Sequence, residues 1–150
     1  MRLTLHTDYA LRLLMALAAE PGRRHTIADV ARRYRISRNH LTKVALTLVQ
    51  AGFIASVRGR GGGLALAHPP SDIALGAVVR ATEDGFALVE CFEPGNNGCV
   101  ITAACGLRAP LREAVDAFLA VLDRHTLADL AASPRAARGL LRLLGPAADA

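Results

Sequence analysis

The chain has no tryptophan, two tyrosines and four phenylalanines, so aromatics make up only 4% of its 150 residues. Stacking of single-stranded bases needs aromatic platforms, and this chain has few to offer. Lysine is nearly missing too: seventeen of the eighteen cations are arginine, the forked donor that suits phosphates and guanine edges. Acidic residues are scarce at the front. Residues 1–60 hold three acids against eleven bases, a net of +8, whereas residues 61–150 hold ten against seven, a net of −3. A basic front half predicts a polyanion partner, and the shortage of aromatics points to duplex DNA.

Three cysteines, an odd number, cannot form a closed disulfide set. No uncharged apolar run approaches the roughly 18 residues of a spanning helix. The apolar opening is interrupted by Asp8 and Arg12, which a signal peptide does not tolerate. A cytoplasmic protein with no membrane partner is expected. There is no internal repeat, no paired C-x2-C zinc knuckle, and no nucleophile elbow or carboxylate pair to suggest an enzyme. What remains is 52% hydrophobic residues against 21% charged, enough for one folded domain with an added dimerisation element.

Along the chain, Thr7 is the expected N-cap of a first helix with Asp8 in its first turn, and Leu11, Leu14, Met15 and Ala18 form its core-facing stripe. This helix should end near Pro21-Gly22. Thr26, with Asp29 three residues later, opens a second helix like a capping box. Tyr34-Arg35-Ile36 connects it to a third, capped by Ser37, striped by Leu41, Val44, Ala45 and Leu48, and closed by Gly52. Two helices joined this tightly form a helix-turn-helix pattern. The first turns of the second can enter a major groove, where Arg38, Asn39, His40, Thr42 and Lys43 are candidate DNA contacts, although each fits a solvated helix face equally well.

The period then changes to two. Residues 53–58 and 64–67 flank Gly59-Arg60-Gly61-Gly62-Gly63, which reads as a β-hairpin wing with Arg58 and Arg60 at a tip made for the DNA backbone or minor groove. The same glycines lack the Gly-Lys-Ser/Thr ending of a phosphate loop and precede a strand where such a loop needs a helix, which argues against nucleotide binding. A helix is expected from about Leu75 to Glu83. A longer one, from about Leu107 to His125, carries the stripe Leu107, Leu111, Val115, Leu119 and Leu122, widened by Ala114 and Phe118, with surface left over for a partner. His25, His68 and His125 read as surface or capping residues.

Cys91, Cys99 and Cys105 are the most informative group. Isolated cysteines are usually inert and buried, but all three lie within fifteen residues, separated by glycine and asparagine. Wide spacings in a loop suit something bulkier than one ion, and iron–sulfur clusters are held chiefly by thiolates. Three thiolates leave one position open. His6, Asp8, Asp84, Glu90 and Glu93 are candidates for it, and spacing does not choose among them.

With these pieces assembled, the sequence resembles the Rrf-type winged-helix repressors that carry iron–sulfur clusters, particularly their nitric-oxide-sensing NsrR-type branch. The likeness runs through the opening Leu3-Thr4-Leu5-His6-Thr7-Asp8-Tyr9-Ala10-Leu11-Arg12, the helix pair, Ser56-Val57-Arg58-Gly59-Arg60-Gly61-Gly62-Gly63, Ala81-Thr82-Glu83 and the three cysteines, from Met1 to about Leu130. It implies a mainly α fold with a small β-wing: a winged helix-turn-helix domain at 1–72, a connecting helix and cluster loop at 73–106, a dimerisation helix and short helix at 107–132, and a tail at 133–150.

The resemblance also implies a homodimer on a double-stranded operator and a cluster, 4Fe-4S rather than 2Fe-2S, held by Cys91, Cys99, Cys105 and Asp8 of the other subunit. Arg12 and Glu83 would stand next to it. Nitric oxide would be the signal that relieves repression. The alternative is an iron- or redox-sensing, IscR-like regulator with 2Fe-2S or thiols alone. That branch carries a His three residues after the last cysteine, where this chain has Arg108. Arg60 replaces the proline that many relatives have at the wing tip.

Overall fold

The computed structural model describes residues 2–57, 59, 61–93, 95, 97–131 and 139. Its elements run α1 (Leu5–Ala19), α2 (Ile27–Tyr34), α3 (Arg38–Gln50), β1 (Ile54–Val57), β2 (Gly63–Leu66), α4 (Leu75–Thr82), α5 (Arg108–Asp123) and α6 (Leu127–Ala131), with single 3₁₀ turns at Pro70–Asp72, Glu90–Phe92 and Thr102–Ala104. The fold is mainly α with a two-stranded antiparallel wing.

Helix α1 is the hub, packing against α3, α4, α6 and β2. Its buried face is wider than the expected stripe: Ala10, Leu13, Leu14, Ala16, Leu17 and Ala18 are all inside, while Leu11 and Met15 lie at the edge of the core. A helix covered by neighbours on several sides keeps only a narrow solvent face, here Leu5, Asp8 and Arg12, so periodicity alone misplaces its centre. Its cap is also different. Thr4, not Thr7, is the N-cap; its Oγ1 accepts from the Thr7 N–H at 3.2 Å, and Thr7 is completely buried one turn in. The reason is tertiary. The Glu83 carboxylate at the end of α4 accepts from the Thr4 N–H at 2.8 Å and from its Oγ1–H at 3.1 Å, fixing the chain's entry into the helix.

The next two helices follow the local signals closely. Thr26 caps α2 by accepting from the Asp29 N–H, and its hydroxyl donates to the Asp29 carboxylate at 2.7 Å. Arg35 leaves the helix in the left-handed conformation (φ 54°), its N–H donating back to the carbonyls of Ala31 and Arg32, and Ile36 turns inward to the core. Helix α3 buries Leu41, Val44, Ala45 and Leu48, the expected stripe, although Ser37 makes no side-chain capping bond.

Strands β1 and β2 pair in the register Ile54↔Leu66 to Val57↔Gly63, and only Ile54 and Leu64 plug fully into the core. The wing has a third edge that the sequence did not announce. His25 and Leu64 exchange both backbone hydrogen bonds, at 3.1 and 2.8 Å. Gly63 makes this approach possible: its φ is +153°, and a Cβ there would sit 2.9 Å from the His25 carbonyl oxygen. His25 itself corrects the sequence expectation of a surface residue. It is 1% exposed, and neither ring nitrogen has a hydrogen-bond partner. Desolvation holds its pKa below the ordinary value of 6.5, with Arg23 and Arg33 pushing the same way and the Glu20 and Asp29 carboxylates opposing.

Helices α4 and α5 are locked at one end. The Arg80 guanidinium grips Asp123 through two parallel bonds of 2.6 and 2.7 Å. Gly76 leaves the room, since a Cβ there would overlap the Asp123 carboxylate. Of the stripe on α5 only Val115 is buried; Leu111, Phe118, Leu119 and Leu122 are half-covered, Ala114 is exposed, and Leu107 and Val121 are open to solvent. No helix among the described residues is long and apolar enough to cross a membrane. The expected tail at 133–150 lies, apart from Gly139, outside the described residues.

Candidate DNA face and cysteine loop

Two regions gather the chemistry. The first is the outer face of α3 with the wing. Arg38, Asn39, Thr42 and Lys43 are exposed on the first two turns of α3, and among the described residues neither Arg38 nor Lys43 has an ion-pair partner. Thr42 spends its hydroxyl on the Arg38 carbonyl at 2.9 Å. His40 differs from the others. Its ring is half-buried, packed edge-on against Tyr9 of α1 with centroids 4.9 Å apart, and 6.2 Å from His6. That ring faces the α1–α3 seam, so the exposed first-turn set is Arg38, Asn39, Thr42 and Lys43. Arg58 and Arg60 fall outside the described residues.

The second region is the segment between α4 and α5. All three cysteines are free thiols, all half-buried, and all in this stretch of irregular chain. Cys91 sits in the turn Glu90–Phe92, which is pinned to α5 by the Arg112 guanidinium lying 4.7 Å from the Phe92 ring centre. Cys99 is held by Asn97, whose side-chain oxygen accepts from the Cys99 N–H at 3.2 Å, and by Thr102, whose hydroxyl donates to the Cys99 carbonyl at 2.7 Å. Cys105 follows the turn Thr102–Ala104. The stretch from Asn97 to Thr102 is therefore held by its own polar side chains. Between α5 and the chain leading out of α4 opens a cleft of about 720 Å³, lined by Glu83, Asp84, Phe92, Glu93, Val115 and Leu119 among others and by none of the three cysteines.

Asp8 lies on the first turn of α1 and is bound bidentately by Arg12 one turn later, at 2.7 and 3.0 Å. The Arg12 guanidinium also lies 5.7 Å from the Tyr9 ring centre. The expected neighbour Glu83 is engaged by Thr4 at the start of the same helix. His6, another candidate ligand, shares a hydrogen bond with Thr47 Oγ1 at 3.1 Å across the α1–α3 seam. Among the described residues, no three His, Cys, Asp or Glu side chains of one chain are drawn together tightly enough to hold a metal ion. The single chain thus brings together Asp8 with Arg12, and separately sets the three thiols on one loop; it does not join the two groups.

Three thiols are soft donors of the kind that hold iron–sulfur clusters and other thiophilic metals. A mononuclear site needs all its thiolates at about 2.3 Å from one centre. In a cluster each thiolate meets its own iron, and soft sulfur is the preferred donor. Sequence reasoning missed Tyr9, which packs on His40 and whose signal was its rarity in an aromatic-poor chain, and the burial of His25, which carried no local signal.

Comparison with known proteins decides the class. A model of the Rrf2 family, described as an iron-dependent transcriptional regulator, matches residues 3–133. The chain belongs to the Rrf2 family. This Rrf2 protein is 50% identical over 144 residues to the HTH-type transcriptional regulator NsrR of Bacillus subtilis (strain 168), an alignment covering 95% of this chain and 99% of that one. Its likeness within the family is thus to the NsrR type. In three dimensions it resembles the global cysteine regulator CymR of B. subtilis, with 28% identity, a TM-score of 0.66 and coverage of 88% and 97% of the two chains. It also resembles T. potens IscR, with 25% identity, a TM-score of 0.68 and coverage of 87% and 85%. This Rrf2 protein is a DNA-binding transcriptional regulator and not an enzyme.

Proposed function

We propose that this regulator is a homodimeric repressor that carries an iron–sulfur cluster, 4Fe-4S, and releases its operator in response to nitric oxide. The observation that carries the reading is the set of three free, half-buried thiols in the one segment directly before α5. The likeness to NsrR across nearly the whole chain supports the nitric oxide signal. Cys91, Cys99 and Cys105 would hold the cluster, and Asp8 of the partner subunit would complete it. When bound, such a cluster supplies iron that reacts with nitric oxide. A carboxylate is the harder and weaker donor on iron, which suits the position that must let go.

The chain's own residues support the dimer. Helix α5 buries only Val115 within its subunit; Val100, Ile101 and Leu107, close in sequence to the thiols, stand 96%, 60% and 59% exposed, and Val121 at the far end of the helix 44%. That much unpartnered apolar surface along one helix and its adjoining loop fits burial against a second copy. In the dimer the winged helices would lie at a spacing suited to successive major-groove half-sites.

Asp8 has two uses for its carboxylate: it pairs with Arg12 in this structure, and it would ligate across the dimer in the assembled one. Arg12 touches Tyr9, and Tyr9 touches His40 at the start of α3. The use that Asp8 makes of its charge therefore bears on the recognition helix through two packed side chains, biasing the population of DNA-competent dimers. Arg108, standing where IscR-like proteins carry a His, is exposed at the start of α5 and offers iron no donor atom.

The test is anaerobic purification, absorbance spectroscopy and a gel shift with and without nitric oxide. A 4Fe-4S absorbance envelope and a shift abolished by nitric oxide are expected; a 2Fe-2S spectrum points to the iron- or redox-sensing alternative. Colourless protein, or binding indifferent to nitric oxide, overturns the reading.

A further inference from the structure

The structure assigns a phosphate-contacting role to Arg24, a residue outside both the recognition helix and the wing. This inference rests on the DNA-binding reading of the winged helix and extends its surface.

Arg24 lies on the short segment between α1 and α2, which the fold lays alongside the wing. Its Nη1 reaches the Gly61 carbonyl at 3.4 Å, so the guanidinium stands against the glycine-rich tip. The backbone next to it is not free to drift. His25 exchanges two hydrogen bonds with Leu64, and the Arg24 Cβ would lie 3.2 Å from a Cβ placed on Gly63. A single antiparallel bridge thus ties the segment to β2, next to Arg24.

Its charge is uncommitted. Arg23 beside it is paired with Glu20, and the same carboxylate binds the almost buried Arg33 at 2.7 Å. Arg24 has no carboxylate partner among the described residues, and its side chain is exposed. Its one side-chain bond among the described residues is long and goes to a neutral carbonyl, leaving four N–H donors for another acceptor. A wing tip of glycines lets the backbone approach closely, and an unneutralised guanidinium beside that tip meets the phosphates flanking the groove that the tip enters. The gain is non-specific affinity and orientation, not base readout.

Counterion release makes this measurable without knowing the operator, because a phosphate contact appears in the salt dependence of binding to any duplex. The experiment is fluorescence anisotropy of the full-length, anaerobically purified protein with a fluorescein-labelled random-sequence DNA duplex over a range of salt. Arg24→Ala should flatten the plot of log affinity against log salt by about one unit, so that parent and variant converge about 3.5-fold for each fourfold rise in salt. Arg24→Lys keeps the charge and should keep the slope. A weaker Arg24→Ala variant with the parent's slope would mean that the residue only props the wing through Gly61, and overturns the proposal. So does a flattened slope in Arg24→Lys equal to that in Arg24→Ala. If the parent itself shows no affinity for duplex, the DNA-binding reading fails instead.

Discussion

His25 is the most informative single substitution for the fold. A neutral imidazole carries one donor and one acceptor, and here both are buried without partners in a residue 1% exposed. Each unsatisfied buried group costs about 1–3 kcal/mol. His25→Leu removes both while nearly conserving volume and leaving the backbone exchange with Leu64 intact. Taking the low end for each nitrogen gives a stabilisation of about 2 kcal/mol, or roughly 4–8 °C in Tm for a chain of this size.

The pH dependence has a definite sign. The folded pKa is lowered from 6.5, so above that value the ring is neutral in both states and its contribution is constant. As the pH falls below 6.5 the unfolded chain takes up a proton that the native ring refuses, and stability is lost until the folded pKa is reached. One proton limits the slope to about 1.4 kcal/mol per pH unit. The assay is urea denaturation of parent and His25→Leu at pH 8 and at pH 5.5. The variant should be the more stable at both, by a wider margin at pH 5.5. Equal stability at pH 8 together with equal acid sensitivity would refute the argument.

Asp8→Ala should leave the metal-free dimer assembled but change the stability of the cluster or its response to nitric oxide; spectra and response identical to the parent's would remove Asp8 from the ligand set. Gly76→Ala should lower Tm by pushing Asp123 off Arg80. Adding Asp123→Ala should then cost little more, and fully additive losses in a double-mutant cycle would deny the steric link. Arg58→Ala and Arg60→Ala should each flatten the salt dependence of DNA binding by roughly one unit; a variant with an unchanged slope contributes no phosphate contact.

Much of the local structure was legible in the chain. The Thr26–Asp29 cap, the four-residue stripe of α3, Gly52 at its end and the existence of the hairpin depend on neighbours a few residues apart, where capping chemistry and periodicity are strong. The α1 cap was misread because two threonines compete there, and a carboxylate seventy-nine residues away, Glu83, chooses between them. His25 was misread for the same kind of reason: a polar residue in a short connection looks solvent-facing until a strand is laid against it.

The sequence by itself determined the class of partner and the type of metal chemistry to test. Charge segregation, arginine in place of lysine and three clustered cysteines are properties of composition and spacing that folding does not alter. Only the tertiary structure decided how those residues are deployed. It turned the His40 ring into the α1–α3 seam, tied Asp8 to Arg12, left the apolar face of α5 uncovered and set Arg24 against the wing. Each of these depends on contacts between segments distant along the chain, which local propensity does not encode.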